Sequence, residues 1–195
     1  MKYIVLTILI LLSSGGSFAQ SKTLISNNGF MGSVGLNFSF PVTKNVFPPN
    51  ADILGPTFFI AAGFVLNNFT AVRSELNYTH FADFFTKSDS SKLTGSFNNF
   101  AVKGELMVGT FRKNAFIDVY GITGLGYYSF SQSKDGDIKL EKDEDNLGII
   151  VGAGINYRLY KNLSISWEAE YNALLSNSSL KGYFNLSTLN LTLIP

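Results

Sequence analysis

Charged residues are scarce in this chain, yet several sit where a core would be expected. The stretches VRSEL (Val72–Leu76) and VKGEL (Val102–Leu106) each set a base and an acid two residues apart among apolar or small neighbours. Their charged members are Arg73, Glu75, Lys103 and Glu105; Asp118, Arg158, Glu168 and Glu170 stand in similar surroundings further along. Carboxylates and bases so placed can transfer protons, hold a ligand, or neutralise one another in a buried network. Other chemically capable groups are few. There is one histidine, His80, and no cysteine, which removes thiol nucleophiles, disulfides and a lipid-anchored N-terminal cysteine. One histidine and no thiol leave only carboxylates for a metal. The acidic stretch Asp135–Asp145 lacks the alternating spacing of a calcium loop and reads as a solvated loop. The Gly-Leu-Gly and Gly-Ala-Gly runs precede no helix, so they are not phosphate cradles. No catalytic, cofactor-binding or metal-binding residue is assigned from these patterns.

The elements that must position these charges are extended. From Gly29 onward apolar residues recur with period two, as in strands. Eight spans emerge: 30–40, 53–66, 69–80, 97–109, 115–130, 147–160, 163–174 and 183–194. They exceed the five or six residues usual in soluble sheets and match the roughly 9–11 residues, plus overhang, of a tilted strand crossing a bilayer. Connections after the first, third, fifth and seventh spans are long; those after the second, fourth and sixth are short. In an up-and-down antiparallel arrangement all long loops leave one end and all tight turns the other, the asymmetry of a transmembrane β-barrel with extracellular loops and periplasmic turns.

Parity within each span separates two faces. One carries Val72, Leu76, Val102, Leu106, Val119, Leu125, Ile149, Val151, Trp167, Leu189 and Leu191, without an acid or base. The other carries all eight charges named above together with many glycines. A charge-free apolar face suits lipid, where a midplane Lys or Arg costs about 2–4 kcal/mol. Small residues beside charges suit a narrow interior. An eight-stranded lumen is only wide enough to be filled by side chains, so no continuous aqueous path is expected.

The N-terminus, MKYIVLTILILLSSGGSFAQ, has a basic residue, a short apolar run, and small residues at Ser17 and Ala19. This is the layout of a secretory signal peptide cleaved after Ala19, which leaves residues 20–195 as one barrel domain. The formal net charge of +1 argues against a nucleic-acid partner.

The Gly-punctuated strands YGITGLGYYSF and IIVGAGINYRLY, the signal ending FAQ and the eight-span layout resemble the small outer-membrane β-barrel family, which includes the OmpA transmembrane domain and OmpX, in its Bacteroidota-type form. The resemblance covers the whole mature chain. It implies an all-β fold, an eight-stranded antiparallel up-and-down transmembrane barrel with a polar, side-chain-filled lumen, in the cell outer membrane. It further implies a non-enzymatic protein serving envelope structure or surface contact through four long loops. The partners implied are outer-membrane lipid including lipopolysaccharide and the barrel-assembly machinery, with a surface ligand left open. One departure is the ending LNLTLIP, where members often end in an aromatic residue. With nothing after Pro195, no periplasmic domain is expected. Phe47, Pro48, Pro49, Phe84 and Phe85 fall in long loops, available to a partner or to the rim. Two other classes stay open: a lipid-modifying enzyme and a soluble ligand-carrying barrel. Against the first, a barrel deacylase needs a serine two residues from its histidine, and His80 has Tyr78 and Ala82 there.

The two pentapeptides then acquire a simple relation. In an antiparallel hairpin, pairing Arg73 with Glu105 also pairs Glu75 with Lys103, and the midpoint, residue 89, falls inside a predicted loop. The expectation is a cross-strand charge network that holds register, extended across the lumen by Asp118, Arg158, Glu168 and Glu170.

Overall fold

The computed structural model describes residues 29–42, 53–83, 96–112, 115–132, 144–175 and 180–193. The expected signal peptide, the loop aromatics Phe47, Phe84 and Phe85 with Pro48 and Pro49, most of the acidic stretch, and the final Ile194 and Pro195 lie outside them. Eight strands follow one another: β1 (Gly29–Pro41), β2 (Ile53–Asn67), β3 (Thr70–Asp83), β4 (Ser96–Gly109), β5 (Ile117–Gln132), β6 (Glu144–Tyr160), β7 (Leu163–Leu174) and β8 (Gly182–Leu193). Each pairs antiparallel with its sequence neighbour, and β8 pairs with β1, so the sheet closes on itself and has no free edge. Closure satisfies backbone hydrogen bonds internally, which a strand in lipid requires.

Pairing is staggered. Following partners from Gly32 through Ala62, Ser74, Gly104, Leu125, Ile149, Ala173 and Gly182 returns to β1 at Val42, ten residues further along. Such a stagger tilts the strands by about 35–45°.

The expected parity holds: Phe30, Leu36, Phe58, Val72, Leu76, Val102, Leu125, Val151 and Trp167 are exposed on the outer surface, while Arg73, Glu75, Lys103 and Glu105 are buried inside. Glycine supplies room within. A Cβ at Gly154 would lie 2.5 Å from the Tyr120 ring, and one at Gly126 would lie 2.5 Å from the Tyr128 hydroxyl. These two glycines let the tyrosines lie flat against the wall.

Two differences from simple alternation stand out. In β8 the parity breaks, because Phe184 and Leu186 face outward and so do Leu189, Leu191 and Leu193. A bulge at Ser187–Thr188 inserts the extra residue, seen as register shifts against both β7 and β1. The second is the β4–β5 connection. β5 begins at Ile117 rather than Ala115, so residues 110–116 link the strands and equal the β7–β8 connection, 175–181, in length. Part of this link folds inward: Phe111 donates its N–H to the Asn68 carbonyl (2.8 Å), and its ring is fully buried.

Candidate functional site

The hairpin register places the first four charges. Arg73 lies opposite Glu105 and Glu75 opposite Lys103. Arg73 Nε donates to Glu105 Oε2 at 2.7 Å, and Lys103 Nζ donates to Glu75 Oε1 at 2.8 Å. Both pairs are almost wholly removed from solvent.

Two further acids arrive from β7, across the lumen. The register path from Lys103 passes Gly126 and Gly148 and meets β7 at Leu174, beyond both acids. Strand tilt brings earlier residues of β7 level with Lys103 along the barrel axis. Arg73 therefore forms a two-pronged bond with Glu168, Nη1 to Oε1 at 2.7 Å and Nη2 to Oε2 at 3.0 Å. Its Nη2 also reaches Glu170 at 3.4 Å. Lys103 Nζ donates to Glu170 Oε2 at 2.6 Å. The β8 bulge helps to hold Glu168, whose backbone N–H donates to the Ser187 hydroxyl (2.8 Å) where the β7–β8 ladder is interrupted. Tyr120 adds a neutral donor to Glu168 Oε1 (2.7 Å), and Asn77 one to Glu75 Oε1 (3.2 Å).

Six of the eight sequence-derived charges thus form one central group of four carboxylates and two bases. Asp118 and Arg158 form a pair of their own at 3.6 Å, near the turn end of β5 and β6. The Tyr120 hydroxyl, within 3.3 Å of Asn156 Oδ1, stands between the two groups, and Asn156 lies opposite Asp118. Parity placed Asp118 and Arg158 correctly inside, but their height along the axis separates them from the central group.

Glu75, Glu105 and Glu170 each offer one oxygen, all within 4.8 Å of one another, the spacing of a metal-binding triad. The Lys103 ammonium stands among them, 2.8 Å from Glu75, 2.6 Å from Glu170 and 4.0 Å from Glu105. A lysine of the chain itself thereby takes the place a cation would fill. The cationic N–H groups of Arg73 and Lys103 are spent on the carboxylates of this group.

Above and below this layer apolar clusters fill much of the lumen. Toward the long connections, Phe81 and Phe97 stack at 4.6 Å, while Tyr183 meets Phe81 edge-on at 5.9 Å and Tyr128 at 5.8 Å. Phe130, Ile53, Leu174 and Leu180 complete this plug. Its two tyrosines are satisfied: Tyr128 donates to Asn172 (2.8 Å), and Asn99 donates to Tyr183 (3.1 Å). Toward the turns, Met31, Val65, Ala71, Met107, Phe111, Tyr120, Ile122 and Ile150 form a second plug, with Phe111 stacked on Tyr120 at 5.8 Å. The interior therefore carries an apolar cluster toward each end, beside buried polar groups such as Ser39, Thr57 and Asn185 near the long connections and Asp118, Asn156 and Ser164 near the turns. Large apolar residues at luminal parity (Phe81, Phe97, Phe130) were the available signal for the upper plug. Phe111, outside any strand pattern, had none.

A family model described as outer membrane protein beta-barrel domain matches residues 6–193. The chain belongs to that family. It is an outer-membrane protein, consistent with a closed barrel whose outer face is apolar through its middle. Outer membrane protein X of Enterobacter cloacae is 24% identical over 86 residues, a match spanning 44% of this chain and 49% of that protein, so the chain matches about half the relative's length. Among solved structures, Neisserial surface protein A aligns with a TM-score of 0.56 at 16% identity, covering 87% of this chain and 98% of that one. OprG of Pseudomonas aeruginosa gives 0.57 at 11% identity, covering 87% and 97%. Ail of Yersinia pestis, solved with the heparin analogue sucrose octasulfate, gives 0.51 at 17% identity, covering 85% and 96%. At these identities the structural matches establish the fold.

Proposed function

We propose that this protein is a closed, non-enzymatic barrel whose lumen is a structural bolt and whose outward-facing long connections serve envelope integrity or surface contact. The observation that carries this reading is the filled interior, with a cross-bonded group of four acids and two bases between two apolar clusters. Such an interior offers no water-filled path, and its acids and bases are bonded to each other rather than aimed into an open cleft. In this reading Arg73, Glu75, Lys103, Glu105, Glu168 and Glu170 hold the wall strands in register across the lumen, and Asp118 with Arg158 ties β5 to β6 near the turns.

The same reading takes residues 1–19 as a cleaved export signal and sends the mature chain to the barrel-assembly machinery. Lipopolysaccharide is then the neighbour of the extracellular half of the outer face. Recording from the refolded protein in planar bilayers tests the closed lumen: little or no steady conductance is expected, and large, stable openings overturn it. N-terminal sequencing of the exported protein, expected to begin at Gln20, tests the signal.

A further inference from the structure

The outer surface is not uniform around its long-connection end. On β1, β2, β7 and β8 it stays apolar to the strand ends, through Phe40 and Val42, Leu54 and Pro56, Ala173 and Leu175, and Phe184. On β3 to β6 it turns polar earlier. Pairing sets His80 beside Asn98 and Asn98 beside Ser131, and one step down sets Tyr78 beside Phe100, Phe100 beside Ser129 and Ser129 beside Asp145. These residues form one continuous ledge above an exposed row of aromatic rings, Tyr78, Phe100 and Tyr127.

The ledge is internally organised. Asn98 Oδ1 accepts from the Tyr78 hydroxyl at 2.8 Å and lies 2.7 Å from His80 Nδ1. For the ring nitrogen to donate there, the proton of a neutral His80 resides on Nδ1, so Nε2 is an acceptor. With Oδ1 doubly used, Asn98 meets any ligand through its amide N–H donors. An acceptor and a donor are thus set side by side, with the Ser129 and Ser131 hydroxyls and the Asp145 carboxylate on adjoining strands. A hydroxyl group donates and accepts at once and satisfies such a pair. A phosphate only accepts, so it cannot use the donor and acceptor together, and it is repelled by Asp145. Among the described residues the ledge contains no lysine or arginine. Flat aromatic rings beside neutral amides and a carboxylate suit the mixed apolar and hydroxyl faces of a sugar.

We propose that this ledge seats the sugar headgroup of an outer-leaflet glycolipid, bound through its hydroxyls, with the acyl chains lying along the apolar wall beneath. The inference rests on the outer-membrane placement and not on the closed lumen, so it stands or falls separately from the conductance result.

The test uses the refolded full barrel in phosphatidylcholine nanodiscs doped with one of three lipids: an acylated glucosamine disaccharide with its phosphates, the same lipid without them, or phosphatidylglycerol. Lipid retention is read by native mass spectrometry. Both disaccharide lipids should be retained in preference to phosphatidylglycerol, and the double variant His80→Leu, Asn98→Leu should lose at least tenfold of that preference. The variant Phe184→Leu, on the apolar side of the rim, should keep it. Retention that follows the phosphate, or that ignores the double variant, overturns the proposal. Should the double variant fail to fold, shown by loss of its heat-dependent gel shift, the unaltered protein still decides. His80 is the only histidine, so its single imidazole signal should move on adding the phosphate-free disaccharide lipid and stay fixed with phosphatidylglycerol. An unmoved signal overturns the proposal equally.

Discussion

Two sectors of one lumen solve the same burial problem with different chemistry. The sector built by β3, β4 and β7 buries ionisable groups, four acids and two bases joined at 2.6–3.4 Å. The sector built by β8, β1 and β2 buries hydroxyls and amides. There Ser39 meets Thr57 and Asn185 at 2.5 Å each, Thr57 meets Thr79 at 2.8 Å, and Thr192 meets Ser33 at 3.1 Å and Ser166 at 2.8 Å. A hydroxyl can donate or accept, so a chain of them can reverse direction and absorb a lost member. A buried charge has one sign and needs a partner of the other at a set place. In the proposed reading the charged sector is the less forgiving one and the stronger determinant of register. On that reading it specifies the arrangement more than it adds net stability, because desolvation offsets much of the Coulombic gain.

The comparison breaks most sharply at Arg73. Replacing it with glutamate sets five acids around Lys103 alone. Arg73→Glu is expected to abolish the folded, fast-migrating gel band, a loss beyond the ~3–5 kcal/mol of removing one member of a buried pair. Adding Glu105→Arg should partly restore the band, and only partly, because Glu168 also loses its two-pronged partner. Absence of any coupling in that double-mutant cycle would leave the register role unsupported.

Lys103→Met should come next, at about 3–5 kcal/mol in urea unfolding followed by fluorescence of Trp167, the only tryptophan. Removing Glu170 as well, as Glu170→Gln, should recover part of that loss. A cost for Lys103→Met no larger than that of a neutral-sector change would erase the difference between the sectors.

Phe111→Ala opens the turn-end plug without touching a charge and is expected to cost about 3 kcal/mol. With the central layer intact, conductance should stay low. A large steady current in this variant would assign closure to the plug and not to the charge group.

The smallest effect is expected in the neutral sector. Ser39→Ala removes two hydrogen bonds, yet Thr57 retains Thr79 as a partner, so the cost should be about 1–2 kcal/mol. A loss matching Lys103→Met would show that the hydroxyl chain is as strict as the charges.

Much of this was legible before any coordinates. Period-two spans predicted eight strands, and boundaries moved by only a few residues, as at β6, which begins at Glu144 rather than Leu147. The β3–β4 register followed from two pentapeptides, because opposite charges on adjacent strands constrain pairing locally. The β8 bulge was harder to read, since Leu186-Ser187-Thr188-Leu189 departs from alternation by one residue and such a slip is also what a strand end looks like. The sugar-class ledge was invisible, because Tyr78, His80 and Asn98 meet only after β3 and β4 are paired.

The sequence by itself determined strand number, the face that residues take where alternation is unbroken, the antiparallel order and which hairpin charges oppose one another. All of these depend on alternation and on nearest-neighbour pairing. Tertiary structure alone decided which strands face each other across the lumen and at what height. That depends on the ten-residue stagger at closure, which raises β7 relative to β3 and β4 so that Glu168 and Glu170, rather than Leu174, meet Arg73 and Lys103. The same stagger leaves Asp118 and Arg158 to pair near the turns and lets Phe111 fold in from a connection to close that end. Stagger is a property of the whole closed sheet, summed over eight pairings, and no single stretch of residues encodes it.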